Sequence, residues 1–283
     1  MHIFADDVQI YFKCDINNIN LLKLKNCMDE IKYWANINFL KLNDTKTKFL
    51  ILSNKSPNPG VFSNVFSNFS VDVNAKNLGF ILDSKLSFNA QINHVCQCGY
   101  YLLRNLWRIS AKLNDVSLRI QIVQSCILSH IDYCNSLFYD LPNESIKKLQ
   151  RLMNASIRFI YKIRLSDTYS ITSYMKQCHF LPVKARIDFK INMLVYKCIN
   201  GTAPIYLQEL IKPKNSLACL RIYHDNLLLK TPSLNLNNKK NRSFSLVAPR
   251  EWNKLPFDIR SSSSLPIFKS KLKTYLFSQC FGS

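Results

Sequence analysis

The sequence predicts an α+β protein, with a small strand-bearing segment and one helix to about residue 85 and a mainly helical remainder. Three observations carry that reading. Apolar and polar residues alternate with period two near the start, apolar residues recur with the helical period over long stretches after residue 85, and charge divides along the same line. Residues 1–90 hold 10 Lys+Arg and 8 Asp+Glu, whereas residues 91–283 hold 28 and 10, so a net +18 belongs to the helical part.

The elements follow in order. Val8, Ile10 and Phe12 alternate with Gln9 and Tyr11, and with Ile3 and Phe4 ahead of them they predict a hairpin whose tip carries Asp6 and Asp7. Leu21, Leu24, Met28, Ile31 and Ala35 follow the helical period, predicting a helix from Asn18 to about Asn38. Lys48–Ser53 and Asn77–Asp83 read as strands. Between them Val-Phe-Ser-Asn occurs twice, at 61–64 and 65–68, in what reads as a variable loop. Long helices then begin near Phe88, with further ones over about 117–133 and 143–162. Leu181-Pro182 breaks the chain before a helix patterned by Val183, Ile187, Ile191, Leu194 and Cys198, which Gly201 stops. Residues 213–241 read as a long polar loop. Phe268, Leu272, Leu276 and Phe277 predict a docked C-terminal helix over 265–281.

With 283 residues and 47% hydrophobic side chains, the chain has enough apolar surface for one generous core or two modest ones. It is neither disordered nor fibrous in composition. The opening residues are too polar for a secretory signal, and no apolar run approaches the roughly 20 residues that span a bilayer. The ten cysteines are therefore expected to be reduced and mostly buried. Cys96 and Cys98 stand two apart and Cys178 adjoins His179, yet no second pair completes a zinc-finger spacing. The histidines show no nucleophile or metal partner.

A surplus of +18 repels itself unless a polyanion neutralises it, which makes nucleic acid the leading partner class and an anionic membrane surface the second. The helix over 143–162 sharpens this. Ile146, Leu149, Met153, Ile157 and Ile160 form its apolar stripe, while Lys147, Arg151, Arg158 and Lys162 line up on another face. Such a basic row suits the phosphates of a duplex, contacted without reading sequence; a solvated face is the plain alternative for any one member. No amphipathic membrane anchor of comparable strength is visible, so a membrane is not an expected partner. Trp107 with Arg104 and Arg108 offers a stacking contact to unpaired bases, or simply part of a core.

Adjacent aspartates at a hairpin tip repel each other and serve neither strand. They suit two divalent ions that activate a hydroxyl and stabilise a phosphate in nucleotidyl transfer, with magnesium the natural partner for oxygen ligands. They also suit an ordinary turn.

Several blocks in one order resemble a known family. Phe4-Ala5-Asp6-Asp7-Val8-Gln9-Ile10-Tyr11 looks like the catalytic hairpin of a reverse transcriptase. Trp34-Ala35-Asn36, Leu40-Lys41-Leu42-Asn43 and Lys46-Thr47-Lys48 resemble the segment that follows it in non-LTR, LINE-type retrotransposon enzymes. Leu78-Gly79-Phe80-Ile81-Leu82-Asp83 resembles their primer grip. Ile131-Asp132-Tyr133-Cys134-Asn135, Leu181-Pro182-Val183 with Arg186 and Lys190, Ala203-Pro204, Ala248-Pro249, Trp252-Asn253 and Leu255-Pro256 are similar to the region past the polymerase core in jockey-like elements.

The resemblance implies a partial polymerase palm over 1–85, a helical thumb over 86–165 and a basic, mostly helical C-terminal region over 166–283. It implies Asp6 as a magnesium ligand with Asp7 beside it, Lys46 as a general acid near departing pyrophosphate, and Leu78 and Gly79 holding the primer end. Lys147, Arg151, Arg158, Lys162, Arg186 and Lys190 would grip an RNA template with its DNA primer or target, and deoxynucleotides would be substrates of the full enzyme. Five residues precede Asp6, so the third carboxylate and the fingers of such an enzyme are expected to lie outside this sequence. The 283 residues alone are then expected not to polymerise DNA. The alternative is a non-catalytic nucleic-acid-binding module with vestigial acids.

Overall fold

The computed structural model describes residues 2–5, 7–13, 18–52, 70–164, 167, 170–214, 227–232 and 242–282. The architecture is α+β and mainly helical. Asp6, the repeated Val-Phe-Ser-Asn segment and most of the predicted loop over 213–241 lie outside the described residues. The chain divides into two compact units, Met1–Asn93 and His94–Ser283.

In the first unit, β1 (His2–Phe4) and β2 (Asp7–Gln9) pair antiparallel with Phe4 opposite Asp7. Between the strands Ala5 takes a φ of 51°, the left-handed conformation that tight hairpins favour. Asp7 is the first residue of β2, and Ile10 and Phe12 fall beyond the strand. Helix α1 (Asn18–Ile37) buries Leu21, Met28 and Ala35, as its periodicity predicts. The strand expected over 48–53 shortens to β3 (Lys48–Phe49), which pairs in parallel with β4 (Ser70–Val71).

The strand expected over 77–83 is instead a hairpin. β5 (Asn74–Asn77) pairs antiparallel with β6 (Phe80–Asp83), and Leu78 and Gly79 form its turn at φ 45° and 83°. A Cβ on Gly79 would meet nothing within 4 Å. Backbone conformation, not crowding, calls for glycine there. Asp83 is buried and accepts hydrogen bonds from the backbone N–H groups of Lys85 (3.1 Å), Ser87 (2.9 Å) and Phe88 (2.5 Å). One carboxylate thus shapes the chain leaving β6, and Phe88 turns onto Phe80 with ring centroids 5.6 Å apart.

Helix α2 (Asn89–Arg108) carries the chain on. In the second unit come α3 (Val116–Val123), a π-helical segment (Gln124–Leu128) and α4 (Ser129–Asp132), where the sequence predicts one continuous helix. The run continues through a 3₁₀ turn (Asn135–Phe138), α5 (Asn143–Tyr161), α6 (Ile171–Gln177), α7 (Val183–Ile199) and α8 (Ile205–Gln208). It closes with α9 (Phe244–Asn253), α10 (Phe257–Arg260) and α11 (Leu265–Phe281).

Helix α7 is the hub, because it packs against α4, the 3₁₀ turn, α5, α8, α9 and α11. Its buried Ile187, Ile191 and Val195 meet a core that includes Phe138, Leu149, Ile157, Trp252, Phe268 and Leu272, all at most 3% exposed. The residues read from sequence as a thumb and a C-terminal region therefore share one unit from His94 onward. Gly201 ends α7 as expected, at φ 67°, with its own N–H donating to Cys198 O and that of Thr202 to Lys197 O, the paired bonds of a Schellman motif. No helix among the described residues is long and apolar enough to cross a membrane.

Candidate nucleic-acid interface

Helix α5 is 19 residues long, about 28 Å at 1.5 Å per residue. Leu149, Leu152, Met153, Ile157, Phe159 and Ile160 are all fully excluded from solvent. Each such side chain contributes about 1.5–3 kcal/mol of transfer free energy, which fixes the rotation of the helix about its axis. That rotation sends Lys147 and Arg151 into solvent and leaves Arg158 half-buried, its Nε enclosed without a hydrogen-bond partner. At 100° per residue these three positions fall within about 40° of one another.

Lys162 departs from the row. It is the C-cap of α5 in the left-handed conformation, φ 54°, and its Nζ lies 3.3 Å from Asn114 Oδ1. Lys147 lies 2.8 Å from Glu144, in the first turn, whose carboxyl it draws below its ordinary pKa by that hydrogen bond and its charge. Both ends of α5 are thus electrostatically matched to the helix dipole, an acid at the start and a cation at the end.

A buried cation anchors the C-terminal end. Arg119, 4% exposed, donates from Nε to Ile160 O and from Nη1 to Leu113 O, each at 2.5 Å. Its positive charge sits where α5 presents unsatisfied carbonyls, and it is spent inside the fold. The sequence pattern gives no sign of this, because the partners are backbone atoms distant along the chain.

Helix α2 runs alongside α5 in the same sense. Lys148 acts electrostatically on Cys96, a Cβ on Gly99 would lie 2.5 Å from Leu152 Cδ2, Arg151 acts on Tyr100, and Trp107 meets Phe159 edge-to-face at 5.5 Å. The partners advance together with a nearly constant offset along the two chains. Burial raises the Tyr100 hydroxyl pKa, with Cys96 adding to the rise and Arg151 opposing it. The outer side of this helix pair is strongly cationic. α2 contains no Asp or Glu, and Glu144 is the acid within α5. Tyr100, Arg104, Trp107 and Arg108 stand exposed on α2. Tyr100 is a member of this surface that sequence reading missed; its spacing from Arg104 and Trp107 is the signal that could have found it.

The remaining predicted binders are placed elsewhere. Arg186 makes a two-pronged ion pair with Asp132, Nε to Oδ1 at 2.8 Å and Nη2 to Oδ2 at 2.5 Å, tying α7 to α4. A bidentate carboxylate thus occupies the guanidinium fork of this predicted nucleic-acid contact. Lys190 is half-buried beside Cys134, where burial raises the thiol pKa and the lysine's charge opposes the rise. It belongs to the hub helix, not to the row on α5.

In the first unit, Asp7 is exposed. Gln9 Nε2 donates to Asn77 Oδ1, which joins the β1–β2 hairpin to the hairpin bearing Leu78 and Gly79. The hairpin predicted to carry the catalytic acids is thereby linked to the one that carries the predicted primer-grip residues. Lys46 is exposed in a turn closed by its N–H on Asn43 O at 3.1 Å and on Asn43 Oδ1 at 3.2 Å, and no ion pair among the described residues joins it to Asp7. Magnesium takes an oxygen cage with more than one anionic ligand. Asp7 is the described carboxylate of its hairpin, and no group of three or more His, Cys, Asp or Glu gathers among the described residues; Asp6, the other predicted ligand, lies outside them. The described cysteines are free thiols. Cys178 and Cys198 are buried, whereas Cys126 and Cys280 are exposed against expectation.

An acidic cluster supports the hub. Tyr139 Oη donates to Glu251 Oε1 at 2.5 Å, Lys254 reaches the same oxygen at 2.7 Å, and Arg250 lies over the Tyr139 ring at 5.6 Å. On α7, burial raises the pKa of Asp188 to about 6, with the Glu251 charge adding to the rise and Lys184 and Lys254 opposing it. A carboxyl with a raised folded-state pKa binds its proton more tightly in the native state. Native stability is therefore lost as pH climbs from about 4 through 6, by up to about 3 kcal/mol for a shift of some two units. Asp188→Asn is expected to raise the melting temperature at pH 7 by several degrees, and to give no gain at pH 4. Thermal melts of both proteins at the two pH values check this.

Compared with protein-family models, curated proteins and solved structures, the chain matches none.

Proposed function

We propose that this chain binds nucleic acid through the outer surface of α5 and α2, as the C-terminal part of an RNA-directed DNA polymerase of the non-LTR retrotransposon type. The observation that carries the reading is the row of Lys147, Arg151 and Arg158 beside an acid-free α2, turned outward by a stripe of fully buried residues on the opposite face of α5. Phosphates repeat along a duplex regardless of base, so cations spread over a helix of this length suit a template-primer duplex read by its backbone. The hydrogen bond between the two N-terminal hairpins supports their reading as palm segments around Asp7 and the Leu78-Gly79 turn.

In this reading Lys147, Arg151, Arg158 and Lys162 hold backbone phosphates, and Asp6 and Asp7 would be ligands of a two-magnesium site that needs further carboxylates. Arg119 and the Asp132–Arg186 pair keep the helices in place without touching ligand. A second reading, a binding module without catalysis, is favoured by the location of the +18 surplus, which falls in residues 91–283 and not around the acid hairpin.

Fluorescence anisotropy with labelled RNA–DNA hybrids of unrelated sequence tests the shared claim. Equal affinities within about threefold are expected. A strong preference for one sequence, or no binding to any, would overturn it. The two readings part on primer extension with magnesium, where incorporation above an Asp6→Ala control would favour the catalytic one.

A further inference from the structure

Resting on that assignment of α5, we infer that the exposed face of α2 is a stacking platform for an unpaired strand continuing from the duplex. Tyr100, Arg104, Trp107 and Arg108 lie within about 100° on one helix face, aromatic and cationic side chains interleaved over roughly 12 Å. That length matches three to four stacked bases. Tyr100 is 44% exposed and Trp107 41%, so each offers ring surface to a base.

The indole is held yet available. Its edge-to-face contact with the buried Phe159 fixes one side of the ring system, and a T-shaped contact covers at most one of its faces. The Trp107 carbonyl accepts from Ser110 Oγ at 2.7 Å, which secures the end of the helix. Every base has a π face, so an aromatic row with intervening guanidinium groups captures unpaired nucleotides whatever their sequence. α2 offers no carboxylate to repel a backbone. Arg151 acts electrostatically on Tyr100, so the platform begins where the phosphate row of α5 is already at hand. Charge complementarity selects a polyanion as the occupant, and the aromatic faces select one with exposed bases.

The test compares a blunt duplex with the same duplex carrying a four-nucleotide overhang of either polarity, using the full chain. One overhang polarity is expected to bind about tenfold tighter than the blunt duplex. Trp107→Ala should bring the overhang and blunt-duplex affinities to within about twofold of each other, and Trp107→Phe, which keeps an aromatic face, should restore most of the difference. Tyr100→Ala, at a more exposed position, gives the same loss without touching Phe159.

An overhang advantage that survives both alanine variants overturns the platform, as does the absence of any advantage in the parent. Retention on phosphatidylserine vesicles that depends on Trp107, without overhang preference, would reassign the face to lipid. Failure of the parent to bind even blunt duplex would instead sink the assignment of α5, so the two claims fail separately.

Discussion

Replacing Lys147, Arg151 and Lys162 together by glutamate is expected to lower affinity for a nucleic-acid duplex by about 100-fold or more at roughly 0.1 M salt. All three side chains stand in solvent on or at the end of α5. Each loses an attraction of order 1 kcal/mol to a nearby phosphate and acquires a repulsion of similar size. The fold should tolerate the change. Lys147 gives up one exposed ion pair with Glu144 and Lys162 one bond to Asn114, and pairs of that kind contribute at most about 1 kcal/mol. Anisotropy titrations of parent and triple variant, each with a thermal melt, decide the matter. A variant that melts like the parent and binds like it would move the interface off α5. Lys269, Lys271 and Lys273 on α11 would be the next cations to try.

Trp252→Ala is expected to destabilise the second unit by about 3–5 kcal/mol. The indole is 1% exposed, with Phe268 5.7 Å away and Tyr196 stacked on Phe268 at 4.4 Å. Its Nε1 donates to Leu227 O at 2.7 Å. Next to it, Asn253 clamps Leu229 with both ends of its amide, Nδ2 on the carbonyl and Oδ1 on the N–H, each at 2.9 Å. These bonds seat the short described stretch 227–232, which also bridges to Pro213. Truncation therefore opens a cavity and orphans a carbonyl together. Trp252→Phe keeps much of the volume but not the donor, and should cost about 1–3 kcal/mol. Urea denaturation of the two variants measures both. A loss below about 1 kcal/mol in the alanine variant would mean the α7–α9–α11 core is looser than its burial indicates.

The helices show how far a sequence alone can be read. α1, α5, α7 and α11 begin and end within a residue or two of where periodicity and Gly201 place them, because a buried stripe and a helix stop are local signals. The hairpin at the start is legible for the same reason, although its strands are shorter than their alternation suggests. Local pattern is silent about tertiary partners. Nothing near Arg186 announces Asp132, and Arg119 has the same chain signature as an exposed arginine although it is buried on two carbonyls. Hence two cations of similar appearance end differently, Arg151 exposed on α5 and Arg186 paired with Asp132. The Leu78-Gly79 pair misleads in another way. Leu78, in the turn, runs on into the apolar Phe80, Ile81 and Leu82, so turn and strand read as one strand unless the positive φ at both turn positions is foreseen. The α2 surface is half legible. Trp107 and the arginines stand out, and the spacing of Tyr100 places it on their face, but that this face is left exposed follows from the packing of α2 on α5.

The salt dependence of duplex binding tests the central claim most directly. If Lys147, Arg151, Arg158 and Lys162 each meet a phosphate, a plot of log affinity against log salt concentration should fall with a slope of about −3 to −4, from the release of roughly one counterion per contact. A slope near zero, or no binding at low salt, would contradict a phosphate-reading surface on this helix pair.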